Sequence, residues 1–173
     1  ISVPKLKSHS LTLFTGAIKN LYGCIPGMKK AEYHRLYPNP QEFANLVVDI
    51  FAAVEPDLTI MDGIYGLEGN GPGTTGELCE IGTILVGSDL VAVDSLAASY
   101  LGYEEDQVPI TSLASSRELG SNQLDQLEIV GDFKKPSRKY KLPSNALLSS
   151  LPSWLLTPIF NSLLATPEIK QEE

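Results

Sequence analysis

The residues best suited to chemistry stand within the first thirty-five positions. Lys5, Lys7 and His9 share the run Pro4-Lys5-Leu6-Lys7-Ser8-His9, and Thr15-Gly16-Ala17-Ile18-Lys19-Asn20 follows closely. In an extended segment Lys5 and Lys7 point to one face. Thr15 and Gly16 read as the opening of a helix whose exposed amide N–H groups favour an anion. Lys19 lies one turn inside it and reaches back toward the same place. Lys5, Lys7, His9, Thr15, Gly16, Lys19 and Asn20 would together hold a phosphate or carboxylate, with His9 able to exchange protons near neutral pH. The plain alternative is a basic loop rim without a ligand. His34 is the other histidine, and the two flank the Lys19 segment.

A second candidate runs from Asp62 to Gly76, with glycine at 63, 66, 69, 71, 73 and 76. Glycine there permits positive φ and close backbone approach to a ligand. It is not a phosphate loop, because no Lys-Ser or Lys-Thr follows, and no apolar helix starts after it as a dinucleotide fingerprint requires. Asp62, Glu68 and Asn70 offer oxygen ligands to a hard cation. Glu68, Gly69, Asn70 and Gly71 would close over the anion site, unless the stretch is only a turn-rich connection. The third candidate is Gly87-Ser88-Asp89 through Asp94. Ser88 or Asp89 suits an N-cap. Asp94 falls inside an otherwise apolar helix, where an unpaired carboxylate is costly, and a lysine of the basic segment is its expected partner.

Strands and helices must position these groups. Ile1–Leu6 reads as a strand, Thr15–Tyr22 as a helix, and Gln41–Val54 as a longer helix from the spacing of Phe43, Leu46, Val47, Ile50, Phe51 and Val54. Leu58–Met61 is an apolar strand closed by Asp62-Gly63, Ile64–Glu77 a loop, and Ile81–Val86 a second buried strand. A helix over Leu90–Leu101 stops at Gly102, another over Ile110–Leu119 stops at Gly120, and Leu127–Val130 makes a last strand. The alternation predicts an α/β layered fold, its largely parallel sheet flanked by helices, with ligands at the carboxyl ends of the strands. Residues 1–132 form that domain. Residues 133–173 form a proline-rich extension in which Trp154–Leu164 could make one apolar helix.

The net charge of −8 argues against nucleic acid as a partner. No apolar run reaches the roughly 18 residues of a membrane span, and no signal peptide is visible. Cys24 and Cys79 lack metal-type spacing, which favours free thiols in a cytoplasmic setting. The start at Ile1, inside a strand, and the polar end read as those of a fragment of a larger protein.

Three stretches, PKLKSHSLTLFTGAIKNLYGCIPG, PDLTIMDGIYGLEGNGP and GSDLVAVDSLAA, closely resemble a prokaryotic family known only as domain of unknown function 362. That resemblance implies a missing N-terminal part and, in many members, a ferredoxin-like segment with two 4Fe-4S clusters. A stretch like Pro167–Glu173 leads into its first cluster cysteine. The order His9, Lys19, Pro26-Gly27, His34 also resembles that of the nickel-pincer lactate racemases. By that likeness His9 would be a general base, Lys19 would anchor the cofactor, and His34 would ligate nickel. Three functions follow as expectations. One is a small-anion substrate or cofactor domain of a cytoplasmic iron–sulfur redox protein. The others are a proton-transfer racemase or epimerase, and a non-catalytic scaffold docking through the Trp154 tail.

Overall fold

Leu6 and Ser8 turn inward while Lys5 faces solvent, and this period of two makes Lys5–His9 the half-buried strand β1. In this computed structural model, which describes residues 1–70, 76–132 and 140–143, β1 folds back on the short strand β2 (Leu13–Thr15) with His9 opposite Leu13. On its other side β1 runs parallel to β3 (Thr59–Glu68), a pairing announced by the parallel bridge of Ser2 to Thr59. β3 then pairs antiparallel with β4 (Glu77–Gly87). The strand order is β2-β1-β3-β4, so the parallel pair at the centre carries one antiparallel strand on each side. The α/β class expected from the sequence is the one observed.

The helices are α1 (Ala17–Asn20), α2 (Lys29–Leu36), α3 (Pro40–Val54), α4 (Leu90–Leu101) and α5 (Pro109–Ser116). A 3-10 turn over Leu21–Cys24 continues α1. α3 starts as its sequence dictates, with Pro40 in the first turn and the Asn39 side chain accepting the Gln41 N–H. Asp89 caps α4 by accepting the Ala92 N–H at 2.9 Å, and Gly102 ends that helix at φ +93°. Leu6, Met61, Cys79 and Leu85 from the sheet join Ile18, Phe43, Val47, Val48, Leu90, Val91 and Ala97 from the helices in one core. On the opposite sheet face, Val3, Ile60, Ile84 and Val86 are left exposed by the described residues, Ile84 and Val86 being 56% and 60% exposed.

Several sequence expectations are corrected. Ile64–Glu77 is not a loop throughout, because β3 runs on to Glu68 and β4 starts at Glu77. Glycine inside β3 marks close packing rather than a turn: a Cβ on Gly66 would lie 2.5 Å from Ile81 Cδ1 and 2.7 Å from the Leu6 carbonyl oxygen. Asp62-Gly63 therefore sits within a strand, where the register shifts between Gly63 and Tyr65. Ile81–Val86 is strand, but its alternate residues are exposed rather than buried. Leu127–Val130 makes no strand; it runs past the free edge of β4 without pairing, leaving a groove of about 430 Å³. Helix α2 was not foreseen, since its sequence KKAEYHRL carries no apolar stripe. The predicted helix Trp154–Leu164 and the run Pro167–Glu173 lie outside the described residues, as does Gly71.

No helix among the described residues is long and apolar enough to cross a membrane. Replacing Gly66 with alanine forces its methyl group into a backbone oxygen. We expect a loss of about 2 kcal/mol, the cost of overpacking at a site that cannot open, measured by urea unfolding of the purified chain.

Candidate functional site

The site grows from the start of α1. Asp94, in the middle of α4 and fully buried, reaches across to this four-residue helix. Its Oδ1 accepts the Ala17 N–H at 2.6 Å and its Oδ2 the Ile18 N–H at 3.0 Å. Gly16 is what allows the approach, because a Cβ there would stand 2.2 Å from Asp94 Oδ1. Two expectations change together. The amide groups after Thr15-Gly16 are buried and already hold the chain's own carboxylate, so they offer nothing to an external anion. Asp94 pairs with these amides, not with a lysine. Burial pushes its carboxyl up to about 7, against the downward pull of the Ile18 and Ala17 N–H groups.

This clamp sets the position of Lys19, which is only 9% exposed. Its Nζ stands 4.2 Å from the centre of the Tyr22 ring and 5.1 Å from that of Phe43. Such cation–π contacts return about 1 kcal/mol each and do not replace a counter-ion. Around them the aromatic rings form a wall. His34 from α2 stacks on Phe43 from α3 at 4.5 Å and meets Tyr22 edge-on at 5.2 Å. His9 lies nearly parallel to His34 with centroids 6.3 Å apart. Tyr22 donates its hydroxyl to the Lys30 carbonyl at 2.7 Å, tying the 3-10 turn to α2.

Charge in this place has one sign. Lys7 and Lys30 both act on Lys19, and burial first, then these two, lowers its ammonium to about 8. Among the described residues no carboxylate lies within ion-pair distance of Lys7, Lys19 or Lys30. His9 is lowered to about 3 by burial, then by Lys19, His34 and Lys7. Burial and Lys19 lower His34 as well. His9 is therefore neutral at physiological pH. Its Nδ1 accepts the Leu11 N–H at 3.1 Å, so the ring proton belongs to Nε2. The general-base role that the racemase likeness implies needs a free lone pair at the substrate. Here the lone pair is spent on Leu11, and His9 presents a donor.

The other predicted site residues separate. Lys5 pairs with Asp62 across the β1–β3 ladder at 2.7 Å, and Asp62 also accepts the Ile64 N–H at 3.0 Å. Asn20 donates to Ser2 Oγ at 3.2 Å, away from the lysines. Thr15 stays beside Lys7 in the β1–β2 register. Glu68 is buried, accepts the Lys141 N–H at 3.0 Å, and is followed by Gly69 donating to the Lys141 carbonyl at 2.7 Å. With Tyr140 donating to Leu67 and Lys141 paired to Glu77, this end of the hairpin grips residues 140 and 141. Asn70 follows directly.

The sequence has only two cysteines, Cys24 and Cys79, too few for a four-thiolate cluster. No three His, Cys, Asp or Glu side chains converge among the described residues, so Asp62, Glu68 and Asn70 make no cation cage. Sequence reasoning missed Tyr22, Lys30 and Phe43. Tyr22 stands three residues after Lys19, a helical neighbour, whereas Phe43 is indistinguishable from core in the sequence.

Two outcomes are expected. Asp94→Ala leaves two buried N–H groups without an acceptor and should cost about 3 kcal/mol, read by urea unfolding. Below about pH 6.5 the unfolded chain protonates His9 while the folded one resists until about 3. Stability through this group is therefore lost as pH falls from 6.5 toward 3. Asp94 works in the opposite sense, gaining stability as pH falls from 7 toward 4. The comparison is thus the difference between wild type and His9→Gln across that window, which should shrink with acid.

A family model described as "Domain of unknown function (DUF362)" matches residues 1–99. A curated protein from Synechocystis sp. (strain PCC 6803), described as "Thylakoid-associated protein sll1697", is 37% identical over 123 residues. That match covers 70% of this chain but 37% of the relative, so the chain spans little more than a third of the protein it resembles. No solved structure matches. With the first ninety-nine residues carrying strands β1 to β4, the Asp94 clamp and the whole Lys19 cluster, the chain belongs to the DUF362 family.

Proposed function

We propose that this domain is the small-anion-binding part of a longer iron–sulfur redox protein, its ligand held by Lys7, Lys19 and Lys30 with His9 Nε2–H as a neutral donor. One observation carries the reading: three lysines, one of them buried, lie near one another with no carboxylate at ion-pair distance among the described residues. An ammonium taken out of water without a partner is costly, and a bound anion removes that cost. The aromatic wall of Tyr22, His34 and Phe43 gives the same place an apolar side, suited to a ligand with a carbon skeleton. Position also agrees, since His9 ends β1 at the sheet end where ligands of α/β folds sit.

The redox setting rests on the likeness of Pro167–Glu173 to the run before the first cluster cysteine. With only Cys24 and Cys79 here, cluster ligands would come from sequence other than these residues. The thylakoid association named for the Synechocystis relative is compatible with electron transfer.

Titration with oxalate, a compact dianion, tests the binding role by isothermal calorimetry. We expect saturable binding, weakened at least tenfold in both Lys7→Met and Lys19→Met, with circular dichroism unchanged. Equal affinity in the wild type and both folded variants would remove this reading.

A further inference from the structure

A buried lysine facing two others can do more than attract an anion. Lys19 comes from a helix held at its N-terminus by two hydrogen bonds to Asp94. It is buried, and its tip lies over the rings of Tyr22 and Phe43. Among the described residues no acid lies within ion-pair distance of it. These are the conditions under which a lysine becomes a nucleophile: desolvation, a neighbouring cation and a fixed position. Lys7 and Lys30 supply the neighbouring charge, and they remain free to hold a carboxylate attached to the carbon under attack. His9 offers an N–H to the oxygen of that carbon, with its proton fixed on Nε2 by the Leu11 contact.

We propose that the ligand is a small 2-oxo acid and that Lys19 Nζ attacks its carbonyl carbon to form an imine. This rests on the anion-binding reading and deepens it. The Nζ lone pair forms the C–N bond, and the C=O π pair moves onto oxygen, where the His9 N–H stabilises the developing charge. Proton transfer from nitrogen to oxygen gives the carbinolamine. The nitrogen lone pair then expels hydroxide, which leaves as water on taking one proton from solvent. Amine, carbonyl compound and one proton thus become a protonated imine and one water, with no oxidant or reductant involved. The protonated imine draws electrons from the bond next to the former carbonyl carbon, the usual use of such an adduct. The lowered ammonium of Lys19 agrees with this role, because an appreciable share of the side chain is neutral near pH 7.5.

Pyruvate is the probe, with oxamate, whose carbonyl does not form imines, as its companion. The chain is incubated with pyruvate and sodium borohydride, digested, and mapped by mass spectrometry; oxamate binding is measured separately by calorimetry. We expect one reduced adduct, carried by Lys19 about tenfold above any other lysine and absent from Lys19→Arg. Saturable oxamate binding without an adduct at Lys19 would overturn the imine and leave the anion site standing. Adducts spread evenly over the lysines would also overturn it. Failure of both oxamate binding and adduct formation would overturn both readings. Because the adduct is located in the wild-type chain, the result holds even if the arginine variant does not fold.

Discussion

The carboxylate of Asp94, buried in α4, accepts the first two amide protons of α1 at 2.6 and 3.0 Å. A helix of four residues has almost no bonds of its own to keep it in place, since forming the first turn fixes several dihedrals for a single hydrogen bond. The contact between two distant segments supplies what the short helix lacks. It also needs glycine at position 16, where any side chain would collide with the acid. Lys19, Tyr22 and the turn to α2 all take their positions from this start. The candidate site is thus anchored by an interaction that no ligand would touch.

Electrostatics at Lys19 are unbalanced, because like charges and burial act on it in the same direction. Lys7, Lys19 and Lys30 repel one another, and burial adds to the cost for Lys19. The neighbouring rings offset part of this through their negative faces. His9 answers the same field by staying neutral, its Nδ1 accepting the Leu11 N–H. Among the described residues no carboxylate comes within ion-pair distance of these three lysines. Acidic residues, numerous in a chain of net charge −8, lie elsewhere: Asp62 serves Lys5, Asp49 serves Arg117, and Glu77 serves Lys141.

Much of this was legible in the residues, for definable reasons. α3 and α4 announce themselves through apolar spacing, the Asn39 and Asp89 caps and Gly102. His9 and Lys19 drew attention as a pair, and the structure brings them close enough for one to lower the other. Other features were hidden because sequence signals are ambiguous. Gly63 and Gly66 look like turn residues, yet they serve a strand pressed against its neighbours. Leu127–Val130 has strand-forming side chains, but its Val130 is 87% exposed and the segment finds no ladder. Asp94 was noticed as a buried acid, while its partners were misjudged, because backbone amides leave no trace in a sequence. The joining of Phe43 to Lys19 depends on how α3 docks, which local pattern does not encode.

Among the described residues, the outer face and outer edge of the sheet carry a further consequence. β4 is the outermost strand, separated from β1 by β3, so about 10 Å lies between that edge and the strand bearing Lys7 and His9. Ile84, Val86 and the unpaired run beside them look away from the core that supports Lys19. The inward residues of the same strand, Cys79 and Leu85, belong to the core that holds Ile18 and Phe43, so one strand presents an outer border and an inner support at once. A substitution at an outward position such as Ile84 or Val86 changes the border alone, whereas one at Leu85 reaches the helices behind the sheet.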